Sequence, residues 1–195
     1  MDAGSWRRNA NLPNSVTLLR ILMVPLFVLL LLAAGREDDP GHWWAALVFL
    51  VAAATDKLDG WLARRNGTVT TFGIVADPIA DKALTGSAFV TLSVLDLLPW
   101  WITVVVLVRE IGVTVLRAAV IRHTVVPASR GGKLKTVLQT AALTAAVAPL
   151  PGPLDVVTWV LMALAVGVTV VTGVQYTVSI LRAARDHRTA VPGRA

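Results

Sequence analysis

The sequence predicts an all-α protein with six membrane-spanning helices, and three observations support that prediction. Of its 195 residues, 55% are hydrophobic and only 15% are charged, which is more apolar than an ordinary soluble domain. Six apolar runs have lengths close to the roughly 20 residues that an α-helix needs to cross a bilayer. Basic and acidic residues are also concentrated in different connections between these runs. Together these features predict a polytopic membrane protein.

The six apolar runs follow one another along almost the whole chain. They cover residues 16–34, 43–62, 72–95, 98–120, 134–149 and 156–180. We therefore expect a single membrane domain over 1–195, with a short interfacial segment at 1–13 and a C-terminal cytoplasmic tail at 183–195. Trp6, Arg7 and Arg8 suit the first segment to a membrane surface. The chain has no cysteine, which excludes disulfides and thiolate chemistry.

The distribution of charge predicts the orientation of the helices. If the N-terminus is inside, the three outer connections contain five acids and a single base, Arg36. The acids are Glu37, Asp38, Asp39, Asp96 and Asp155. The other 17 of the 18 Lys and Arg residues then lie inside or in the runs, so the positive-inside rule places both termini in the cytoplasm. Anionic lipid or an anionic substrate accounts for the net charge of +6, and we expect no nucleic-acid partner.

Two tryptophan pairs mark the predicted outer ends of the second and fourth helices. They are Trp43, Trp44, Trp100 and Trp101. Tryptophan is enriched where a helix passes from the hydrocarbon to the headgroups of the bilayer. We therefore interpret these residues as membrane anchors and not as a ligand-binding cage.

Four aspartates interrupt the second and third apolar runs, at Asp56, Asp59, Asp77 and Asp81. The first two share a helical face with Gly60 and Ala63, because their spacing is i, i+3, i+4 and i+7. The other two are four residues apart and also share a face. The connection between the runs is short, so the helices are expected to be antiparallel neighbours. The four carboxylates then converge near their cytoplasmic ends, and the small residues allow a backbone or a ligand to approach closely.

This carboxylate cluster requires positive charge, because each intramembrane acid costs at least ~2.5 kcal/mol. Carboxylate oxygens are the ligands that Mg²⁺ and Mn²⁺ prefer, and two bridged ions form a site suited to displacement at phosphorus. Structural ion pairs with Lys57, Arg64 or Lys82 are an alternative. A small transporter is another, although the acids of a transport pathway should be spread through the depth of the membrane, whereas these lie at one end.

The spacing of these residues, D-x2-D-G-x2-A-R-x8-G-x3-D-x3-D, resembles the signature of the CDP-alcohol phosphatidyltransferases. Every fixed position is present, as Asp56, Asp59, Gly60, Ala63, Arg64, Gly73, Asp77 and Asp81. Three further segments resemble the bacterial phosphatidylglycerophosphate synthases within that family. They are NLPNSVTLLRILMVP at 11–25, VREIGVTVLRAAVIR at 108–122 and GGKLKTVLQ at 131–139. The resemblance therefore extends over most of the chain.

The resemblance implies a two-metal transfer of the phosphatidyl group from CDP-diacylglycerol to an alcohol. It implies two Mg²⁺ ions, or Mn²⁺, on the pyrophosphate, with Asp56, Asp59 and Asp77 holding one ion and Asp56, Asp77 and Asp81 the other. Asp81 would also be the general base. The residues implied to bind CDP-diacylglycerol are Asn14, Thr17, Gly60, Ala63, Arg64 and Thr70. A homodimer in the cytoplasmic membrane is expected, with its active site facing the cytoplasm.

The Arg-Glu and GGKLKT segments favour glycerol 3-phosphate as the acceptor, which would give phosphatidylglycerol phosphate and CMP. Inositol phosphate, or phosphatidylglycerol to make cardiolipin, are the alternatives. The acceptor's phosphate requires cations, and the candidates are Arg109, Arg117, Lys133 and Lys135; the lysines follow a glycine pair with free backbone N–H groups. Interfacial snorkelling is the competing interpretation of these side chains. Glu110 is about 100° round the helix from Arg109 and is not expected to pair with it.

Overall fold

The computed structural model describes residues 12–35, 39–66, 71–120, 130–150 and 152–189. These residues form six α-helices and contain no strand. The helices are α1 (Leu12–Ala34), α2 (Gly41–Asn66), α3 (Thr71–Val94), α4 (Trp100–Val120), α5 (Arg130–Val147) and α6 (Asp155–Thr189), with a short 3-10 helix at Gly152–Leu154. Each predicted apolar run forms one helix, which confirms the all-α class.

Local chemistry explains where several helices end. α1 terminates at Gly35, which has a φ of 71° and donates its N–H to the Leu31 carbonyl at 3.2 Å, an arrangement that favours glycine. Asp39 then caps α2, since its side chain accepts the Gly41 N–H at 2.5 Å. After α3 the chain turns at Asp96, whose φ is 54°. These short turns connect long helices without a soluble insertion.

Contacts between the helices divide the chain into two compact units. The first comprises Met1–Pro99 with Leu143–Thr158, and the second comprises Trp100–Ala142 with Trp159–Ala195. The sequence predicted one domain over 1–195, and that assignment stays a prediction.

The first unit has α1 packed against both α2 and α3, which also contact each other. Its interior is apolar and includes the rings of Phe27 and Phe49, whose centroids are 5.4 Å apart. His42, at the start of α2, is buried, and its Nδ1 lies 3.1 Å from the Val147 carbonyl oxygen. This contact joins α2 to the end of α5 within the same unit. The helices that carry the aspartates are thus part of a packed bundle.

The second unit consists of α4, most of α5 and most of α6. Ile102, Val106, Met162 and Ala165 are buried in it. Beside these apolar side chains the same unit buries Lys135, Gln139 and Thr169, which are all at most 8% exposed. The unit therefore encloses polar groups that must find partners within the protein.

Both units bury polar side chains and expose apolar ones. Arg20 is 1% exposed, whereas Leu29 and Val108 are 65% and 67% exposed. The predicted anchors Trp44 and Trp101 are exposed as well. A water-soluble fold has the opposite distribution, since burial of apolar area is its main stabilising term. The outer surface of the protein is accordingly suited to a hydrocarbon environment.

Among the residues that the structure describes, one helical segment is long and apolar enough to cross a membrane, namely Gly152–Ile180. Shorter apolar helical segments occupy Leu19–Ala34, Gly41–Thr55 and Leu134–Val147. The six helices are confirmed, and their crossing of the membrane six times stays a prediction. The interfacial segment predicted at 1–13 falls mostly outside the described residues, and the tail predicted at 183–195 begins as a continuation of α6 as far as Thr189.

Candidate active site

The aspartate motif lies on two helices that pack together. Asp56 and Asp59 belong to the last part of α2, and Asp77 and Asp81 belong to the first half of α3. Four residues separate these helices along the chain, and the two helices contact each other. Asp56 and Asp81 each lie ten residues from the helix end at this connection, and Asp59 and Asp77 lie seven and six residues from it. At about 1.5 Å per residue, Asp56 and Asp81 lie near 15 Å along their helices from these ends, and Asp59 and Asp77 lie near 10 Å.

The structure describes the side chain of one of these aspartates, Asp81, which is half-buried. The other three lie on described helices, but their side chains are outside the described set. Within that set, no group of three or more acidic or histidine side chains lies close enough together to hold a metal ion. The metal site therefore stays a prediction. It is supported by the positions of the four aspartates on two helices that contact each other.

For most of the predicted substrate-binding residues, the structure describes the helix and the position along it but not the side chain. Asn14 and Thr17 lie on α1, and Gly60, Ala63 and Arg64 on α2. Arg117 lies on α4 and Lys133 on α5, while Thr70 is outside the described residues. Arg109 and Lys135 are the predicted contacts whose side chains the structure describes. Both of these residues belong to the second unit.

A single carboxylate joins these two cations. Glu110 Oε1 lies 3.0 Å from Arg109 Nη1 and is also bonded to Lys135 Nζ. The expectation that Glu110 would not pair with Arg109 was therefore wrong. Helical geometry separates their Cβ directions by about 100°, but both side chains are long enough to turn to the same side. These side chains are only 11–16% exposed, so little water could solvate the charges if the pairing were lost.

Arg109 also contacts α6, at residues that were not among the predicted site residues. Its Nε donates to the Thr169 carbonyl and its Nη2 to the Thr172 hydroxyl, both at 2.9 Å. The side chain passes directly over Gly173. Arg109, Glu110 and Lys135 therefore connect α4 with both α5 and α6. The sequence of α6 gives no signal of this contact, because the groups that meet Arg109 are a backbone carbonyl, a hydroxyl and a glycine, none of which is charged.

Two buried polar atoms next to this network in sequence have no hydrogen-bond partner among the described residues. They are Gln139 Nε2, one helical turn from Lys135, and Thr169 Oγ1. Arg20, on α1 in the first unit, is a further buried polar residue. It was not among the predicted site residues, although a cation inside an apolar run is the sequence signal that marks it.

A groove of about 400 Å³ lies beside Arg109 in the second unit. Five of its lining residues are valines, and the others include Gly112, Gly173 and Thr177. Such a lining suits hydrocarbon and offers few partners to a small polar substrate. We therefore locate the polar chemistry of this unit at the Glu110 carboxylate and its two cations.

Comparison with known proteins agrees with the motif. The family model for CDP-alcohol phosphatidyltransferase matches residues 10–171. The chain belongs to the CDP-alcohol phosphatidyltransferase family. A similar protein of Mycobacterium tuberculosis, named a probable phosphatidylglycerophosphate synthase, is 53% identical over 92% of this chain and 84% of its own length.

Two other relatives carry the name CDP-diacylglycerol–glycerol-3-phosphate 3-phosphatidyltransferase. The protein of Bacillus subtilis is 39% identical over 85% of this chain and 93% of its own length. The protein of Escherichia coli is 39% identical over 68% of this chain and 74% of its own length. This member of the CDP-alcohol phosphatidyltransferase family thus resembles these relatives along most of its length.

The shared carboxylate makes a prediction about stability. Replacing Glu110 by Gln leaves two buried cations without their common counter-ion, and breaking a buried pair costs about 3–5 kcal/mol. We expect a marked fall in the midpoint of thermal unfolding in detergent, followed by the fluorescence of the seven tryptophans. Asp155→Asn, at an exposed acid in the first turn of α6, is the control and should cost at most about 1 kcal/mol. Equal midpoints for the two variants would contradict this account.

Proposed function

We propose that this protein transfers the phosphatidyl group of CDP-diacylglycerol to glycerol 3-phosphate, giving phosphatidylglycerol phosphate and CMP. The observation that carries the proposal is the complete aspartate motif on two packed helices, α2 and α3. The names of the relatives that align with most of this chain support the choice of acceptor. The exposed apolar surface supports a place in a membrane. The uneven distribution of Lys and Arg supports a cytoplasmic membrane location with the active site facing the cytoplasm.

The four aspartates fit a pair of divalent cations. They offer only carboxylate oxygens, the donors that suit Mg²⁺ and Mn²⁺. Both aspartates of each helix lie within about ten residues of the connection between the two helices. Asp56, Asp59 and Asp77 would hold one ion, and Asp56, Asp77 and Asp81 the other. When bound, two such ions would neutralise charge on the pyrophosphate and stabilise CMP as the leaving group.

The residues of the chain would handle the proton and the orientation of the substrates. The primary hydroxyl oxygen of the acceptor attacks the phosphorus that carries diacylglycerol, and the bond from that phosphorus to the CMP oxygen breaks. Asp81 would take the hydroxyl proton as the new P–O bond forms, while CMP leaves with the electron pair of the broken bond. Since Asp81 is only half-buried, a hydroxyl can approach it.

The nucleotide lipid would be held by residues around the motif. Gly60 and Ala63 carry little or no side chain, which allows the nucleotide to lie close to α2. Arg64 and Thr70 would contact its polar groups. Asn14 and Thr17, near the start of α1, would complete the set. We further propose, from the family resemblance, that the protein is a homodimer.

The acceptor's phosphate would be bound by cations of α4 and α5, namely Arg109, Arg117, Lys133 and Lys135. Arg109 and Lys135 share one carboxylate, so this group retains one net positive charge before the other two cations are counted. Such a surplus suits an anionic ligand. Arginine has five N–H donors, and described residues accept from three of those of Arg109. The remaining two, one on each terminal nitrogen, suit two phosphate oxygens.

The acceptor can be identified by a direct assay. Purified protein in detergent is given CDP-diacylglycerol and Mg²⁺, and CMP release is measured with glycerol 3-phosphate, inositol phosphate, phosphatidylglycerol or glycerol. We expect release to depend on glycerol 3-phosphate and to be at background with glycerol, which lacks the phosphate. A faster reaction with inositol phosphate or phosphatidylglycerol would contradict the choice of acceptor, and no release with any alcohol would contradict the proposed chemistry.

A second prediction concerns Lys133. Loss of one charge-assisted hydrogen bond to the acceptor's phosphate is worth about 1.5–3 kcal/mol, so Lys133→Ala should raise the KM for glycerol 3-phosphate roughly ten- to a hundredfold. The KM for CDP-diacylglycerol should change by less than about twofold, and Lys133→Arg, which keeps the charge, should recover most of the loss. Equal changes in both KM values would show that Lys133 does not act on the acceptor.

A further inference from the structure

Arg109 lies so close to Gly173 that a residue with a side chain would not fit at position 173 of α6. A Cβ atom added to Gly173 would lie 2.8 Å from Cγ and 2.9 Å from Nε of Arg109. Heavy atoms at these distances overlap, so an alanine there would force the arginine to move. Gly167, on the same helix, has open space at the equivalent position. The absence of a side chain is thus needed at Gly173 and not at Gly167.

The far end of Arg109 cannot easily yield, because it is fixed at three points. Thr169 and Thr172 accept from Nε and Nη2, and Glu110 accepts from Nη1 at 3.0 Å. The Thr172 hydroxyl is itself directed by a 2.7 Å bond to the Val168 carbonyl. Displacing the side chain at Cγ would therefore break bonds at the guanidinium.

We propose that Gly173, together with Thr169 and Thr172, positions Arg109 for the phosphate of the acceptor. This role rests on the proposed function. The three residues fix the guanidinium so that its two remaining N–H groups, one on each terminal nitrogen, are held ready for two phosphate oxygens. A pre-oriented guanidinium loses less side-chain entropy when it binds an oxyanion. The apolar helix α6 thereby contributes to the choice of an acceptor that carries a phosphate.

The test compares two glycines of one helix. Gly173→Ala should raise the KM for glycerol 3-phosphate at least about tenfold and leave the KM for CDP-diacylglycerol within about twofold, since loss of one charge-assisted hydrogen bond has an effect of this size. Gly167→Ala is the matched control and should leave both constants unchanged. The full chain is purified in detergent, and CMP release is followed while one substrate is varied.

A double-mutant cycle separates positioning from a general effect on α6. With Arg109→Ala in place there is no Cγ to collide with, so adding Gly173→Ala should change the acceptor KM no further. Thr172→Val supplies a second variant that keeps the volume of the side chain and removes the hydroxyl. It should raise the acceptor KM selectively, even if Gly173→Ala yields no folded protein.

The outcomes distinguish this role from the proposed function. Turnover of the unmodified protein that does not depend on a phosphate-bearing acceptor would contradict both. Normal turnover with glycerol 3-phosphate, combined with an unaltered acceptor KM in Gly173→Ala or Thr172→Val, would overturn the positioning role alone. Equal rises in both KM values, or full additivity with Arg109→Ala, would also overturn it.

Discussion

The pairing of charge inside an apolar bundle is the constraint on which the rest of this structure depends. Among the described residues many large apolar side chains are exposed and several polar ones are buried, where few water molecules can solvate them. Glu110 shows the consequence most clearly, since its carboxylate joins Arg109 on its own helix to Lys135 on α5. Arg109 also donates to a carbonyl and a hydroxyl of α6. Three helices are thus held together by the contacts of these charged groups.

The two units carry charge of opposite sign, and each sign suits a different part of a phosphatidyl transfer. The first unit holds four aspartates on α2 and α3, which suit divalent cations and, through them, a pyrophosphate. The second unit holds a cationic group on α4 and α5 with one internal carboxylate. Such a group suits the phosphate of an acceptor. The chemistry of the proposed reaction would account for charges that a purely structural membrane bundle would not need.

The sequence predicted the helices and the aspartate motif well because both depend on local patterns. Apolar runs located all six helices to within a few residues at most ends, and helical spacing placed the two aspartate pairs on neighbouring helices. The contacts of Arg109 were not predictable in the same way. Whether Glu110 turns towards Arg109, and whether Gly173 lies beneath it, depends on how α4 packs against α6. Glycine and threonine in an apolar helix give no signal of such a contact, since both are common there.

The central claim is that the aspartates of α2 and α3 form a two-ion site, and direct counting of bound metal tests it most sharply. Mn²⁺ is added to purified protein without substrate, and the loss of the free-ion signal in electron paramagnetic resonance gives the number of ions bound per chain. We predict two ions for the unmodified protein and a loss of binding in Asp56→Asn, which removes a carboxylate expected to serve both ions. No bound Mn²⁺ in the unmodified protein, or the same number in Asp56→Asn, would contradict the claim.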